Sequence, residues 1–240
     1  MAERFYAPQC AGGQILVLEG AEARHLAKVM RASAGDELWV FDGRGTEFPA
    51  RVLEVRKDRV QLDVGEGLFE PRMPRHPLTL AVAVPKGPRM DLLVELSAAY
   101  GAAQLILMDT ERSVAAAHAA GDEKKARWER IAVETAKQCG RNMLMGIASM
   151  RFAEVIDMAE RPPVALIAAI TGGSRLIREF FPVSAPALIL VGPEGGFSSV
   201  EIEAARERGF TAVSLGAATL RVEHAAAAIA ALGCLESLSS

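Results

Sequence analysis

The residues in this chain best placed to do chemistry lie where an apolar run, Leu188 to Val191, meets Gly192-Pro193-Glu194-Gly195-Gly196-Phe197. Three glycines and a proline so close together let the backbone fold against a ligand with no Cβ in the way. Glu194 sets the sign of that ligand: with no lysine in the loop to offset it, a phosphate is disfavoured, whereas a neutral or cationic group, such as a sulfonium, is accommodated. Taken alone, the loop could also be a plain strand-to-helix turn. A second loop, Leu215-Gly216-Ala217-Ala218-Thr219-Leu220-Arg221-Val222-Glu223-His224, follows the next apolar run. Two glycine-bearing loops, each leaving a strand of one parallel sheet, lie side by side at its edge and can hold a flat ligand between them.

Cations are gathered in one stretch. Lys124 to Arg141 carries six basic residues against two acidic ones, a local balance of +4 in a chain whose net charge is −3. Lys86, Arg89 and Arg112 stand near expected strand ends, and Gln138-Cys139-Gly140-Arg141-Asn142 closes a helix with a polar cluster. For any one of these cations, a solvated surface position is the alternative. The overall charge argues against nucleic-acid binding through a bulk positive field and leaves room for a local basic face.

Other chemistries are missing their signatures. No G-x-x-x-x-G-K-[ST], G-x-G-x-x-G or G-x-S-x-G pattern occurs where a kinase, dinucleotide or serine-hydrolase site would need it. His25, His76, His118 and His224 are scattered with no metal-gripping spacing, so no metal centre is expected. Cys10, Cys139 and Cys234 form no C-x-x-C pair, which fits a reducing cytoplasm. With no signal-like start and no apolar run of about 18 residues, a cytoplasmic protein without membrane attachment is expected.

The elements that must hold these loops fall into two textures. Prolines at 71, 74 and 77 mark a stiff linker, because proline fixes φ and removes a backbone donor. Ahead of it, strands are expected at Ile15 to Leu18, Glu37 to Phe41, Phe48 to Val55 and Arg59 to Val64, with Asp42-Gly43-Arg44-Gly45 as a turn: a small barrel or sandwich. A helix over Glu22 to Met30 would place Arg24, Lys28 and Arg31 on one face at i, i+4 and i+7. Beyond the linker, strands alternate with helices: strands at Leu78 to Val84, Gln104 to Met108, Ile147 to Phe152, Val164 to Ile170, Ala187 to Val191 and Ala212 to Leu215. Helices are expected over Met90 to Tyr100, Glu123 to Cys139, Ser198 to Arg208 and Glu223 to Leu235. This is an α/β pattern with a mainly parallel sheet, whose ligands belong beyond the carboxyl ends of the strands. Two domains are expected, at 1–72 and 73–240.

Several motifs, in order, carry a likeness. Lys86-Gly87-Pro88-Arg89-Met90-Asp91, Glu111-Arg112-Ser113, Gln138-Cys139-Gly140-Arg141-Asn142, Gly192-Pro193-Glu194-Gly195-Gly196 and Leu220-Arg221-Val222-Glu223 resemble the 16S ribosomal RNA uridine N3-methyltransferases of the knotted SPOUT superfamily. Arg4-Phe5-Tyr6, the Arg24-His25-Leu26 to Arg31 segment and the Phe41 to Gly45 turn extend it over nearly the whole chain. The resemblance implies a PUA-like β-barrel followed by a SPOUT methyltransferase domain with a carboxyl-terminal trefoil knot. It also implies a homodimer with S-adenosylmethionine in the knot loops, at Ile170, Thr171, Val191, Gly192, Glu194, Gly195, Gly196, Leu215, Gly216 and Leu220. The chain departs from the family where Leu-Arg-Thr-Glu-Thr-Ala is usual, having Val222 and His224 in place of both threonines. It departs again where Met143-Leu144-Met145 replaces Arg-Val-Pro.

The implied activity is methylation of uracil N3 at one uridine of 16S rRNA, position 1498 in the family, within the small ribosomal subunit. That reaction needs an acceptor for a weakly acidic imide proton and a cation for charge spreading to O2 and O4. Glu223, or water it holds, is expected as the acceptor and Arg221 as the cation, with His224 a rival base. N3 lies on the Watson–Crick edge, so the base must be unpaired or extruded. Arg4, Arg24, Lys28, Arg31, Lys86, Arg89, Arg112, Gln138, Arg141 and Asn142 are the candidate RNA contacts. Two other readings stay open: a SPOUT enzyme acting on another RNA atom, such as a ribose 2′-hydroxyl, and a non-catalytic RNA-binding or assembly factor.

Overall fold

Alternating apolar and polar residues build the amino-terminal sheet. The computed structural model describes residues 3–113, 121–181 and 183–235, so that His118 lies outside the described residues. Within it, β2 (Gln14–Glu19), β3 (Glu37–Phe41), β4 (Thr46–Arg56) and β5 (Arg59–Val64) turn Leu16, Leu18, Leu38, Val40, Phe48, Ala50, Val52, Val60, Leu62 and Val64 into one core. Two short strands escape the sequence pattern: β1 (Arg4–Tyr6), which pairs parallel with β3, and β6 (Leu68–Phe69), which pairs with β4. The order β1-β3-β4-β5-β2 leaves β1 and β2 at opposite ends, so the expected barrel is a curled half-barrel. A register shift in β4 between Val52 and Glu54 adds to its twist.

The expected basic helix takes another form. After α1 (Gly20–Arg24) the backbone widens into a π-helical turn over His25–Val29, and Arg31 adopts a left-handed φ of 54°. The wider turn breaks the 100° step that would have aligned Arg24, Lys28 and Arg31. All three side chains are exposed, but not as one helical face.

The turn between β3 and β4 draws in a distant segment. Asp42 Oδ1 accepts from the N–H groups of Arg44 (2.7 Å) and Thr46 (3.1 Å), with Gly43 and Gly45 at φ of 77° and 103°. Against that turn, Leu144 N–H donates to Gly43 O (3.0 Å) and Gly45 N–H to Asn142 O (3.1 Å). One compact unit therefore comprises Met1–Arg72 with Val133–Leu144, and the other comprises Met73–Ala132 with Met145–Ser240. Cys10 is buried in the first, and burial, then the nearby Asp42, pushes its thiol up to about 11. Alkylation mapped by mass spectrometry at pH 8 should label the exposed Cys139 well before Cys10; the reverse order would mean that the half-barrel opens in solution.

The second unit is a seven-stranded parallel sheet. Its strands are β7 (Leu78–Ala83), β8 (Gln104–Asp109), β9 (Gly146–Arg151), β10 (Val164–Ala168), β11 (Arg175–Leu176), β12 (Ala187–Val191) and β13 (Thr211–Ser214), in the order β11-β13-β10-β12-β7-β8-β9. Central β12 is buried throughout, as a strand covered on both faces must be. Its Ala187, Ile189 and Val191 join a core with α2 (Arg89–Ala99), α6 (Val222–Leu235) and the first part of α3 (Asp122–Cys139). Its Leu188 and Leu190 face α4 (Phe152–Ile156) and α5 (Ser199–Glu207). Because β13, β10 and β12 are neighbours and parallel, the loops leaving their carboxyl ends are neighbours too.

Candidate active site

Those three loops enclose a cavity of about 400 Å³. Of the sequence-expected cofactor residues, Ile170, Val191, Gly192, Glu194, Gly195, Gly196, Leu215, Gly216 and Leu220 line it. Thr171 does not: its hydroxyl is engaged with Ser174 Oγ (3.0 Å) and Arg206 (3.1 Å). The lining also takes in Phe197, Thr219 and Val222, which belong to the two quoted loops, and Ala168, Ala169, Ile202, Ser214 and Ala225, which lie outside them. The signal for these last was positional, since Ala168 and Ser214 end β10 and β13.

Local forces shape each wall. Val191 runs into a loop in which Gly196 N–H closes a turn on Pro193 O at 2.8 Å, with Gly196 at φ of 66°. A Cβ on Gly192 would lie 3.0 Å from the Phe197 ring, so any other residue there requires the ring to shift by a few tenths of an ångström. Ser198 then caps α5, its Oγ accepting from Glu201 N–H (3.2 Å) while Glu201 Oε2 accepts from Ser198 N–H (2.9 Å).

The charge of this cradle corrects the sequence reading. Glu194 is not an isolated negative charge, because Arg89 Nη1 donates to its Oε1 at 2.7 Å from the start of α2. The compensating cation lies 105 positions away, out of reach of any reading of the loop alone. Arg89 and Arg112 are thereby engaged with the glycine loop: Arg112 Nη1 donates to Gly195 O (2.9 Å) and Phe197 O (3.5 Å).

Other expected RNA contacts are also committed elsewhere. The Arg4 side chain, 17% exposed, pairs with the buried Glu47 at 3.1 Å. Asn142 is fully buried, its Oδ1 taking Arg72 N–H (2.9 Å) and its Nδ2 donating to Gly45 O (3.1 Å) and Glu70 O (2.9 Å). Arg141 is half-buried and donates to Arg72 O at 2.9 Å. Arg24, Lys28, Arg31, Lys86 and Gln138 remain exposed.

At the start of α6, Val222 and Ala225 line the cavity, whereas Arg221 and Glu223 do not. Arg221 and His224 are exposed; Glu223 is 1% exposed, and its Oε2 has no hydrogen-bond partner. No ion pair joins Arg221 to Glu223 among the described residues. Since Val222 faces the cavity, the hydroxyl that the family's threonine would bring is replaced there by a methyl group. No group of three or more His, Cys, Asp or Glu among the described residues could hold a metal, and no described helix is long and apolar enough to cross a membrane.

A parallel α/β sheet with a glycine-walled cavity at its carboxyl edge, on a chain that opens with a half-barrel, defines a two-part α/β protein with a small-ligand site. Residues 71–234 match the family model of an RNA methyltransferase domain, and residues 18–65 that of an RNA methyltransferase PUA domain. A ribosomal RNA small subunit methyltransferase E from Synechocystis is 30% identical over 213 residues, 86% of this chain and 68% of that protein. The Bacillus subtilis protein of the same name is 28% identical over 222 residues, 87% of this chain and 85% of its own. Among solved structures, the Neisseria gonorrhoeae methyltransferase E bound to S-adenosyl methionine has a TM-score of 0.85 at 28% identity, covering 96% of each chain. A putative methyltransferase from Legionella pneumophila with bound SAM has a TM-score of 0.84 at 32% identity, covering 98% of this chain and 97% of that one. The chain belongs to the small-subunit ribosomal RNA methyltransferase E family.

Proposed function

We propose that this chain transfers a methyl group from S-adenosylmethionine to N3 of one uridine of 16S rRNA in the small ribosomal subunit, at the family's position 1498. The observation that carries the reading is the cavity closed by the loops after β10, β12 and β13, in a chain of this family. The cofactor fits it in three respects. The volume lies in the range of small-ligand sites, roughly 300–1,000 Å³. Ile170, Val191, Leu215 and Leu220 offer apolar walls to a flat purine, between loops whose glycines let the backbone approach it closely. The Arg89–Glu194 pair sets opposite charges side by side at the cradle, which suits a ligand carrying both an ammonium and a carboxylate.

When bound, S-adenosylmethionine supplies a methyl group on a positively charged sulfur. The chain's own residues do the rest. Arg221, exposed beside the cavity, steadies the uracil anion at O2 or O4. Glu223, with one carboxylate oxygen unpartnered and almost no exposure, takes the N3 proton through a water and not by direct contact. Arg24, Lys28, Arg31 and Lys86 meet phosphates, and Gln138 a polar RNA atom. The loops form a trefoil knot, consistent with the β13-β10-β12 adjacency. The active unit is a cytoplasmic homodimer; Ile170 and Leu220, 75% and 41% exposed at the cavity, are apolar surface that a second copy would cover.

Purified protein incubated with labelled S-adenosylmethionine and small subunits from a host lacking this activity should yield label in 3-methyluridine. Label in a ribose-methylated nucleoside would move the reaction to a 2′-hydroxyl, and cofactor binding with no label on any subunit preparation would refute this substrate. Glu223→Gln should lower kcat by about 10² or more with cofactor affinity unchanged. Full turnover in that variant would assign the proton to another acceptor, His224 first.

A further inference from the structure

The glycine loop is held from behind by a segment that no cofactor motif includes. Arg112, just after β8, places Nη1 2.9 Å from Gly195 O and 3.5 Å from Phe197 O. Beside it, Glu111 N–H donates to Glu201 Oε1 at 2.8 Å, and Glu201 is only 8% exposed. In a planar trans peptide the carbonyl and the following N–H point in opposite directions. Turning Gly195 O toward Arg112 therefore turns Gly196 N–H away, onto Pro193 O at 2.8 Å, which closes the turn. Turning Phe197 O toward Arg112 sends Ser198 N–H onto Glu201 Oε2 at 2.9 Å, which starts α5. Two peptide planes of the cavity wall are each fixed at both ends, and Arg112 holds one end of both. Its stem also packs on Gly195, where a Cβ would lie 3.7 Å from Arg112 Cδ.

We infer that Arg112 is a positioning residue for the cofactor site, acting through the carbonyls of Gly195 and Phe197, and that it makes no RNA contact. The inference rests on the reading that this cavity takes S-adenosylmethionine. A guanidinium can present one rigid fork to two carbonyls, whereas an ammonium is a point donor, so lysine should serve only in part. The surface position of Arg112 makes loss of the fold an unnecessary confounder, and a thermal melt checks it.

Titration calorimetry with S-adenosylmethionine, in the absence of RNA, should show Kd raised about tenfold or more in Arg112→Ala and by less in Arg112→Lys. KM for the cofactor should rise while kcat at saturating cofactor is kept. Affinity for an unmethylated 16S fragment, followed across salt concentration, should keep its wild-type slope. A phosphate contact would instead remove about 0.7 from a single-strand slope. Unchanged cofactor affinity in Arg112→Ala, or a reduced salt slope, overturns the inference. Failure of the wild-type chain to bind the cofactor would overturn the reading of the cavity, and the inference with it.

Discussion

Replacing Glu47 by alanine is expected to remove about 2–3 kcal/mol from the stability of the half-barrel unit, below the cost of stranding a fully buried charge because the two arginines left behind are part-exposed. Glu47 is 4% exposed, and each of its oxygens holds a different arginine: Oε1 takes Arg4 Nε at 3.1 Å, and Oε2 takes Arg72 Nη2 at 2.5 Å. Arg72 Nη1 in turn donates to Gly140 O at 2.7 Å, just past the end of α3, and Arg4 Nη1 stands only 2.7 Å from where a Cβ on Gly140 would be. Without the carboxylate, the part-buried Arg4 and the more exposed Arg72 lose their shared counter-charge. Arg4, the less exposed of the two, cannot recover its hydration by a rotamer change. Glu47→Gln preserves shape and one acceptor, so a smaller loss is expected. Urea unfolding followed by tryptophan fluorescence in a Trp128→Phe background reports this unit through Trp39, while cofactor binding reports the other and should survive. A loss below about 1 kcal/mol in Glu47→Ala would place the pair among those that contribute little.

The second large effect is expected at Gly192. A Cβ there lies 3.0 Å from two carbons of the Phe197 ring. Phe197 is 5% exposed and packs against Phe152 with centroids 5.7 Å apart, so a ring pushed by that Cβ moves toward the cavity that it lines. Overpacking of this kind costs about 1–3 kcal/mol, and the displaced atoms are cavity lining. Gly192→Ala should weaken S-adenosylmethionine binding about tenfold, and Gly192→Val about a hundredfold or more, at about 1.4 kcal/mol per decade. Equilibrium dialysis with labelled cofactor measures both. Wild-type affinity in Gly192→Val would show that the loop is not the cofactor wall.

Much of this site could be read from the residues because its determinants are local. The glycine loop and the loop of Leu215 to Leu220 follow strands whose apolar runs are unmistakable, and parallel strands put their carboxyl-end loops on one edge. What escaped the reading is made by partners remote in sequence. Arg89 neutralises Glu194, and Arg112 backs Gly195 and Phe197, yet both looked like free cations at strand ends. Asn142 looked like a polar group offered to RNA, but three backbone groups of the half-barrel use up its amide. The π-helical turn at His25–Val29 keeps an α-helical residue pattern while changing the geometry, so charge spacing misled there. Strands of two or three residues, such as β1, β6 and β11, are too short to show a period.

The lacing of Asn142 to the β3–β4 turn has a consequence for how the chain is made. The bond from Asn142 Nδ2 to Gly45 O spans 97 positions, and between its ends lie β7, α2, β8 and the whole of α3. When residue 72 leaves the ribosome, the half-barrel still lacks the acceptor and donors that will satisfy Gly45, Glu70 and Arg72. Those arrive only with residue 142, by which time two strands of the parallel sheet are already waiting for β12 and β10 to be synthesised. The half-barrel unit can therefore be completed only after β7 and β8 of the other unit have been made, and closing so long a loop makes that completion a slow step in folding at the ribosome.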